Sequence, residues 1–247
     1  MDRKWIFAGA AFALLAAAPV LAKAPGYDAA VTDSARPQTD KDLDAERKPA
    51  EMLALAHVKP GMKVMDLIPG KGYFTRLFSV AVGPKGYVYA YQPSELDGFL
   101  KGKEPPVNAV AKDYKNVAVI HASINKAVAP EALDLVWTSQ NYHDLKDSFF
   151  APADTALVNK AVYDALRHGG LYIVLDHAAE KGSGVRDTDT LHRIDEDTVK
   201  KEVLAAGFKL AGESNALRNK ADDHKLKVFD PSIRHKTDQF ILIFRKP

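Results

Sequence analysis

Apolar residues fall along this chain in two rhythms. Short apolar runs at residues 63–68, 87–91, 117–121, 133–138 and 171–175 read as buried strands. Between them lie stretches whose apolar positions sit three or four apart, at 73–82, 94–100, 107–114, 155–168 and 195–206. That spacing predicts helices. Gly83-Pro84, Gly169-Gly170 and Gly207 follow three of these helices and act as stop signals. Strands separated by helices mean βαβ units and a mostly parallel sheet. The last two strands, 208–214 and 239–244, differ: the segment between them is polar and charged and carries no helical pattern. A pair without a crossover helix predicts an antiparallel end to the sheet.

The first forty residues follow neither rhythm. Arg3 and Lys4 precede an apolar run over 5–20, and Leu21-Ala22 follows with a small residue at the end. This is the pattern of a cleavable secretory signal over 1–22, shorter than the ~20 apolar residues of a membrane span. It predicts a periplasmic or secreted protein with no stable membrane anchor after cleavage. Residues 23–39, rich in Ala, Pro, Asp and Ser, read as a linker. Residues 40–57 show helical spacing through Leu43, Arg47, Met52, Leu53 and Leu55, broken by Pro49. The domain is therefore expected over 40–247.

Composition narrows the chemistry. There is no cysteine, which removes disulfides, thiolate nucleophiles and Cys-based metal sites. With 34 basic and 32 acidic residues the net charge is +2, too balanced to call for nucleic acid. A small-molecule partner is expected; oligomeric state is not encoded in any visible pattern.

The informative segment is residues 63–75, Lys-Val-Met-Asp-Leu-Ile-Pro-Gly-Lys-Gly-Tyr-Phe-Thr. It reads as strand, glycine loop and helix start, with Asp66 near the strand's end. Such a loop brings main-chain N–H groups and a helix N-terminus to a ligand at the carboxyl edge of the sheet. A dinucleotide fingerprint needs a third glycine where Thr75 stands, and the phosphate-loop pattern G-x-x-x-x-G-K-[ST] is absent. A plain strand–helix turn also remains open at this point.

The order of elements, the loop after Asp66 and the unusual last strand pair resemble the class I S-adenosylmethionine (SAM) dependent methyltransferases, over roughly residues 40–247. Within that class the chain looks like a group of exported predicted methyltransferases. Their loop reads Pro-Gly-x-Gly and then an aromatic, as Pro69-Gly70-Lys71-Gly72-Tyr73 does here. Arg47 with Pro49, Asn141-Tyr142-His143-Asp144 and Thr237-Asp238-Gln239-Phe240 also match that group. The resemblance implies a Rossmann-like α/β fold with seven strands in order 3-2-1-4-5-7-6, strand 7 antiparallel, and helices on both faces. It implies SAM as cofactor. Asp66, Gly70, Gly72 and Tyr73 would surround its methionine end, Gln92 its ribose, Ala122 and Ser123 its adenine. Residues 138–141, including Asn141, would form the floor beside the methyl group. Two positions depart from the pattern: Ile68 replaces the first glycine, and Gln92 replaces the ribose-binding acid, with Glu95 a substitute from the next turn.

Methyl transfer needs a base only when the acceptor must lose a proton. Two clusters fall at the ends of strands four and five: His143-Asp144 and Asp176-His177. A histidine of ordinary pKa, ~6.5, suits proton removal at neutral pH. A satisfied His–Asp hydrogen-bond pair is the bland alternative. All four are metal-ligand types, but no spacing such as H-E-x-x-H supports an ion, and none is expected. His192-Arg193 either caps the acceptor pocket or lies on the surface, Tyr142 either packs over the cofactor or in the core, and 218–227 reads as a solvated loop. The expected activity is SAM-dependent methyl transfer to a small molecule. The competing readings are a non-catalytic exported binding module on the same fold and, less favoured, a nicotinamide-dependent oxidoreductase.

Overall fold

The computed structural model describes Met1 and residues 26–150 and 153–247. The expected signal over 1–22 thus falls almost wholly outside the described residues. Four short helices come first: α1 (Asp28–Val31), α2 (Gln38–Lys41), α3 (Asp44–Arg47) and α4 (Pro49–Leu55). The sheet unit follows as β1 (Lys63–Leu67), α5 (Tyr73–Val82), β2 (Tyr87–Pro93), α6 (Asp97–Leu100), α7 (Asn108–Asp113) and β3 (Val117–Ala122). Its second half is β4 (Leu133–Ser139), α8 (Thr155–Ala165), β5 (Leu166–His177), α9 (Thr188–Leu191), α10 (Glu196–Ala205), β6 (Lys209–Ser214) and β7 (Gln239–Arg245).

The seven strands form one sheet in the order β3-β2-β1-β4-β5-β7-β6. All neighbours from β3 to β5 are parallel; β7 runs antiparallel between β5 and β6. Alternation along each strand divides the core between two faces. Val64 joins one apolar layer with Phe74, Phe78 and Trp137, while Met65 and Leu67 join the other with Tyr142, Val158 and Val203. In β5, Ile173 packs to the first layer and Tyr172 and Val174 to the second. Strands covered on both faces need near-continuous apolar sequence, which is why periodicity alone located them.

Two expectations require correction. Helix 155–168 ends at Ala165, because Leu166 already pairs with Leu133 and opens β5. Gly169-Gly170 is a strand irregularity rather than a helix cap: a Cβ on Gly170 would stand 2.9 Å from the Arg167 carbonyl oxygen. The second concerns the linker. Within residues 26–39, Tyr27 and Ala30 are buried in the first core layer, and the Tyr27 hydroxyl donates to the Val58 carbonyl oxygen (2.8 Å). Their apolar surface is what ties down a segment whose average composition looks loose. Among the described residues no helix is long and apolar enough to cross a membrane.

Candidate functional site

The chain runs outward from β1 to β3 on one side of the sheet and from β4 to β5 on the other, so the direction reverses between β1 and β4. Open α/β sheets bind ligands beyond the strand ends at such a point. A crevice of about 340 Å³ lies there. Its floor comes from Asp66 in β1 and Ile68 just after it, and from Ser139 at the end of β4 with Gln140 and Asn141; its wall comes from Gly70, Lys71, Tyr73 and Phe74; its cover comes from Thr39, Asp40, Leu43 and Arg47.

The loop leaves β1 in an unusual way. Ile68 has φ 62°, the left-handed region that suits the glycine it replaces. A β-branched residue is strained there, at a cost of roughly 1–3 kcal/mol. Burial of its side chain in the second core layer offsets this. The conformation is fixed by two bonds: the Ile68 amide donates to the Tyr91 carbonyl oxygen (3.0 Å), and the Asn141 side-chain amide donates to the Ile68 carbonyl oxygen (3.1 Å). Gly70 also has positive φ, and among the described residues no atom lies within 4 Å of where its Cβ would stand. Its main chain is bare toward the crevice. Gly72 does something else: a Cβ there would meet Val110 at 2.5 Å, so this glycine lets the loop pack against α7.

Asp66 is buried and accepts a hydrogen bond from the Thr75 hydroxyl (2.6 Å). Thr75, standing where a dinucleotide site has glycine, thereby ties strand to helix. Burial lifts the Asp66 carboxyl to about 6; the Thr75 bond and the nearby Arg47 charge only partly oppose it. Arg47 donates to Gln140 Oε1 (2.8 Å) and lies 4.7 Å from the centre of the Tyr73 ring. The crevice thus offers the Arg47 guanidinium, the buried Asp66 carboxyl, a second buried carboxylate at Asp40 that is paired with Arg76, the Lys71 side chain and an open stretch of main chain.

The cover is held from below. Arg36, buried, donates twice to Asp44 (2.9 and 2.6 Å), and the Tyr73 hydroxyl donates to the same carboxylate (2.7 Å). Asp40 pairs with Arg76 (3.0 Å), which also donates to the Lys71 carbonyl oxygen (2.9 Å). Sequence reasoning missed this cover. Its one visible signal was Arg47, an arginine within the apolar spacing of 40–57.

A second cluster gathers beyond β4 and β5. His143 and Asp144 lie on a 3-10 turn, His143–Lys146; Asp176 and His177 end β5. Asp176 accepts from the main-chain amides of His143 (2.8 Å) and His177 (2.7 Å) and holds His143 Nδ1 at 2.8 Å. His143 Nε2 faces Asp144 Oδ1 at 3.1 Å and His192 Nδ1 at 3.3 Å. Burial alone would push the His143 imidazole down, but Asp176 and Asp144 outweigh it and bring it up to about 10. The expected base of ordinary pKa is therefore corrected: flanked by two carboxylates, His143 carries its proton at neutral pH. His177 goes the other way, well below its usual value, through burial and then the nearby His143 and Arg193 charges; its Nδ1 sits 2.7 Å from the Thr237 hydroxyl.

Apart from Gly72, which packs against α7 and does not line the crevice, the site residues expected from sequence separate into three groups. Asp66, Gly70, Tyr73 and Asn141 line the crevice. His143, Asp144, Asp176 and His177 form the histidine cluster. Gln92, Ala122 and Ser123 stand together at the ends of β2 and β3 but do not line the crevice. There Gln92 is buried, and Glu95 is engaged by the Ser123 hydroxyl (2.7 Å) and the Ile124 amide (3.0 Å), which removes it as a ribose substitute. Tyr142 is core, its hydroxyl bonded to Glu202 (2.9 Å) and Asn159 (2.8 Å). Arg193 neither caps a pocket nor lies on the surface: fully buried, it grips Asp222 (2.9 Å) and the Ala178 and Leu226 carbonyl oxygens. That pair pins the 218–227 segment, which is only partly solvated.

No family model and no curated protein sequence matches the chain. Solved structures do. A SAM-dependent methyltransferase from Aquifex aeolicus superposes with TM-score 0.57 at 18% identity, covering 86% of this chain and 99% of that one. The 1,6-didemethyltoxoflavin-N1-methyltransferase of Burkholderia thailandensis, solved with 1,6-didemethyltoxoflavin and S-adenosylhomocysteine, gives 0.56 at 16% identity, covering 83% and 79%. The fold is that of the SAM-dependent methyltransferases. The same fold also carries the [4+2]-cyclase SpnF, with TM-score 0.58 at 15% identity, covering 82% of this chain and 81% of that one. Architecture alone therefore leaves the reaction to be argued from the residues.

Proposed function

We propose that this protein is a SAM-dependent methyltransferase acting on a small-molecule acceptor. One observation carries the reading: the crevice at the sheet's reversal point presents bare main chain at Gly70 between the buried carboxyl of Asp66 and the guanidinium of Arg47. An α-amino acid end carries one anion and one cation, and this pair of charges complements it. Arg47 would take the carboxylate, and ionised Asp66 the cationic side. Tyr73 offers an aromatic wall, and Asn141 fixes the floor through its bonds to the Ile68 and Ser139 carbonyl oxygens. Bound SAM would supply an electrophilic methyl group.

On the acceptor side the His143 cluster orients and stabilises rather than abstracts. With Asp176 on Nδ1 and a proton in place, His143 favours an acceptor that arrives or becomes anionic. Asp144 and His177 shape that environment through charge and packing. The Pro-Gly-x-Gly loop and the basic-then-apolar N-terminus support membership of an exported group of such enzymes, working in the periplasm or outside the cell.

Isothermal titration of the purified protein with SAM and S-adenosylhomocysteine tests the cofactor. Stoichiometric binding of both is expected, weakened at least tenfold in Arg47→Ala. No heat and no thermal shift with either ligand overturns the reading.

A further inference from the structure

The histidine cluster has a geometry that hydrogen bonding alone does not call for. His143 Nε2, His192 Nδ1 and Asp144 Oδ1 stand 3.3, 3.1 and 3.6 Å apart, pair by pair. First-row ions bind imidazole nitrogen and carboxylate oxygen at about 2.0–2.2 Å. A triangle with these edges has a point about 2 Å from all three corners, the M–L distance of such an ion. We propose that His143, His192 and Asp144 form a binding site for a divalent first-row transition-metal ion, with Asp147 as a buried counter-charge beside it.

Asp147 is the independent observation. Its side chain is fully buried, and neither oxygen has a hydrogen-bond partner among the described residues. The Thr188 hydroxyl beside it donates to the Val185 carbonyl oxygen instead (3.2 Å). A buried carboxylate without donors is costly unless a cation faces it. Asp147 Oδ2 lies 4.0 Å from His192 Nδ1.

The surroundings fit the chemistry of such a centre. A ligating histidine usually gives its other ring N–H to a carboxylate, which fixes the tautomer. Asp176 does this for His143 at 2.8 Å, and two main-chain amides fix Asp176 in turn; an ion on Nε2 takes the place of the proton that His143 carries without one, which is released on binding. Two imidazoles with one carboxylate suit zinc, cobalt, manganese or ferrous iron better than magnesium or calcium, which prefer oxygen alone. Access is provided, since the His192 and Asp144 side chains are 17% and 18% exposed. The ligands come from the turn after β4 and from the residue that follows α9. No sequence motif joins them, which is why no spacing signalled the site. None of the three lines the crevice, so the site stands apart from the cofactor reading.

The test uses untagged protein stripped with EDTA and desalted, titrated with Zn²⁺ by calorimetry and with Co²⁺ by visible absorption. One ion per chain is expected, with Co²⁺ bands of a nitrogen-containing site and no competition from Mg²⁺ at equal concentration. His192→Ala, at a partly exposed position, weakens Zn²⁺ at least ~100-fold, and Asp147→Asn ~10-fold or more. SAM titrations run alongside separate this proposal from the cofactor assignment. Absence of stoichiometric Zn²⁺ binding in folded protein, or wild-type affinity in His192→Ala, overturns the site whatever SAM does.

Discussion

At the scale of single residues, Asp66 shows how burial sets chemistry. Its native value of about 6 lies above the ordinary 3.8, so between those two values the folded state holds more protons than the unfolded one. Stability contributed by this site therefore falls as pH rises from about 4 through 6 and stays low above it. The full effect is on the order of 3 kcal/mol. Asp66→Asn removes the titration. Urea unfolding should show the variant gaining on wild type by about 2–3 kcal/mol between pH 4 and pH 7.5; parallel pH curves would contradict the burial argument. Maintaining a partly destabilising carboxylate makes sense where a ligand cation later faces it. Ile68 belongs to the same scale. Its substitution for glycine was plain in the sequence. That it nevertheless adopts the left-handed conformation became visible only with the Tyr91 and Asn141 bonds in place.

Among the elements, the N-terminal helices are the least expected and the most consequential. Strands and the helices between them were legible because each buries a continuous face, and α5 and β3 fall within a residue of their predicted bounds. Helices α1 to α3 are four residues each, too short to show a period. They hold their place through Arg36, whose guanidinium satisfies Asp44 and the Val31 carbonyl oxygen. Arg36→Ala leaves Asp44 without that partner and frees the cover. Hydrogen exchange should accelerate by on the order of 100-fold for amides of 28–47, while β1 and β4 amides keep wild-type protection. Uniform acceleration across the sheet would show that the cover is not a separate cooperative unit. Cofactor affinity should fall with it, since Thr39, Asp40, Leu43 and Arg47 line the crevice.

For the molecule as a whole, the sheet order places two sites at one edge and the N-terminal segment across the first of them. Tyr27 and Ala30 make residues 26–39 part of the folded body, although their composition reads as a linker. If the first 22 residues are removed on export, only a few residues precede that packed segment. N-terminal sequencing of protein recovered from the periplasm or medium of an expressing bacterium should begin at Lys23. Recovery only from the cytoplasm, starting at Met1, would overturn the export proposal.

Residue order along the chain dictates the alternation of strands and helices, the antiparallel close of the sheet and the glycine loop after Asp66. These are local or periodic properties, and periodicity survives in one dimension because burial repeats every two or every three to four residues. The tertiary structure alone decided which polar groups meet. Arg47 reaches Gln140 across 93 positions, and His192 comes to His143 across 49. Such encounters depend on how separate segments end at the same sheet edge, and no spacing along the chain records that.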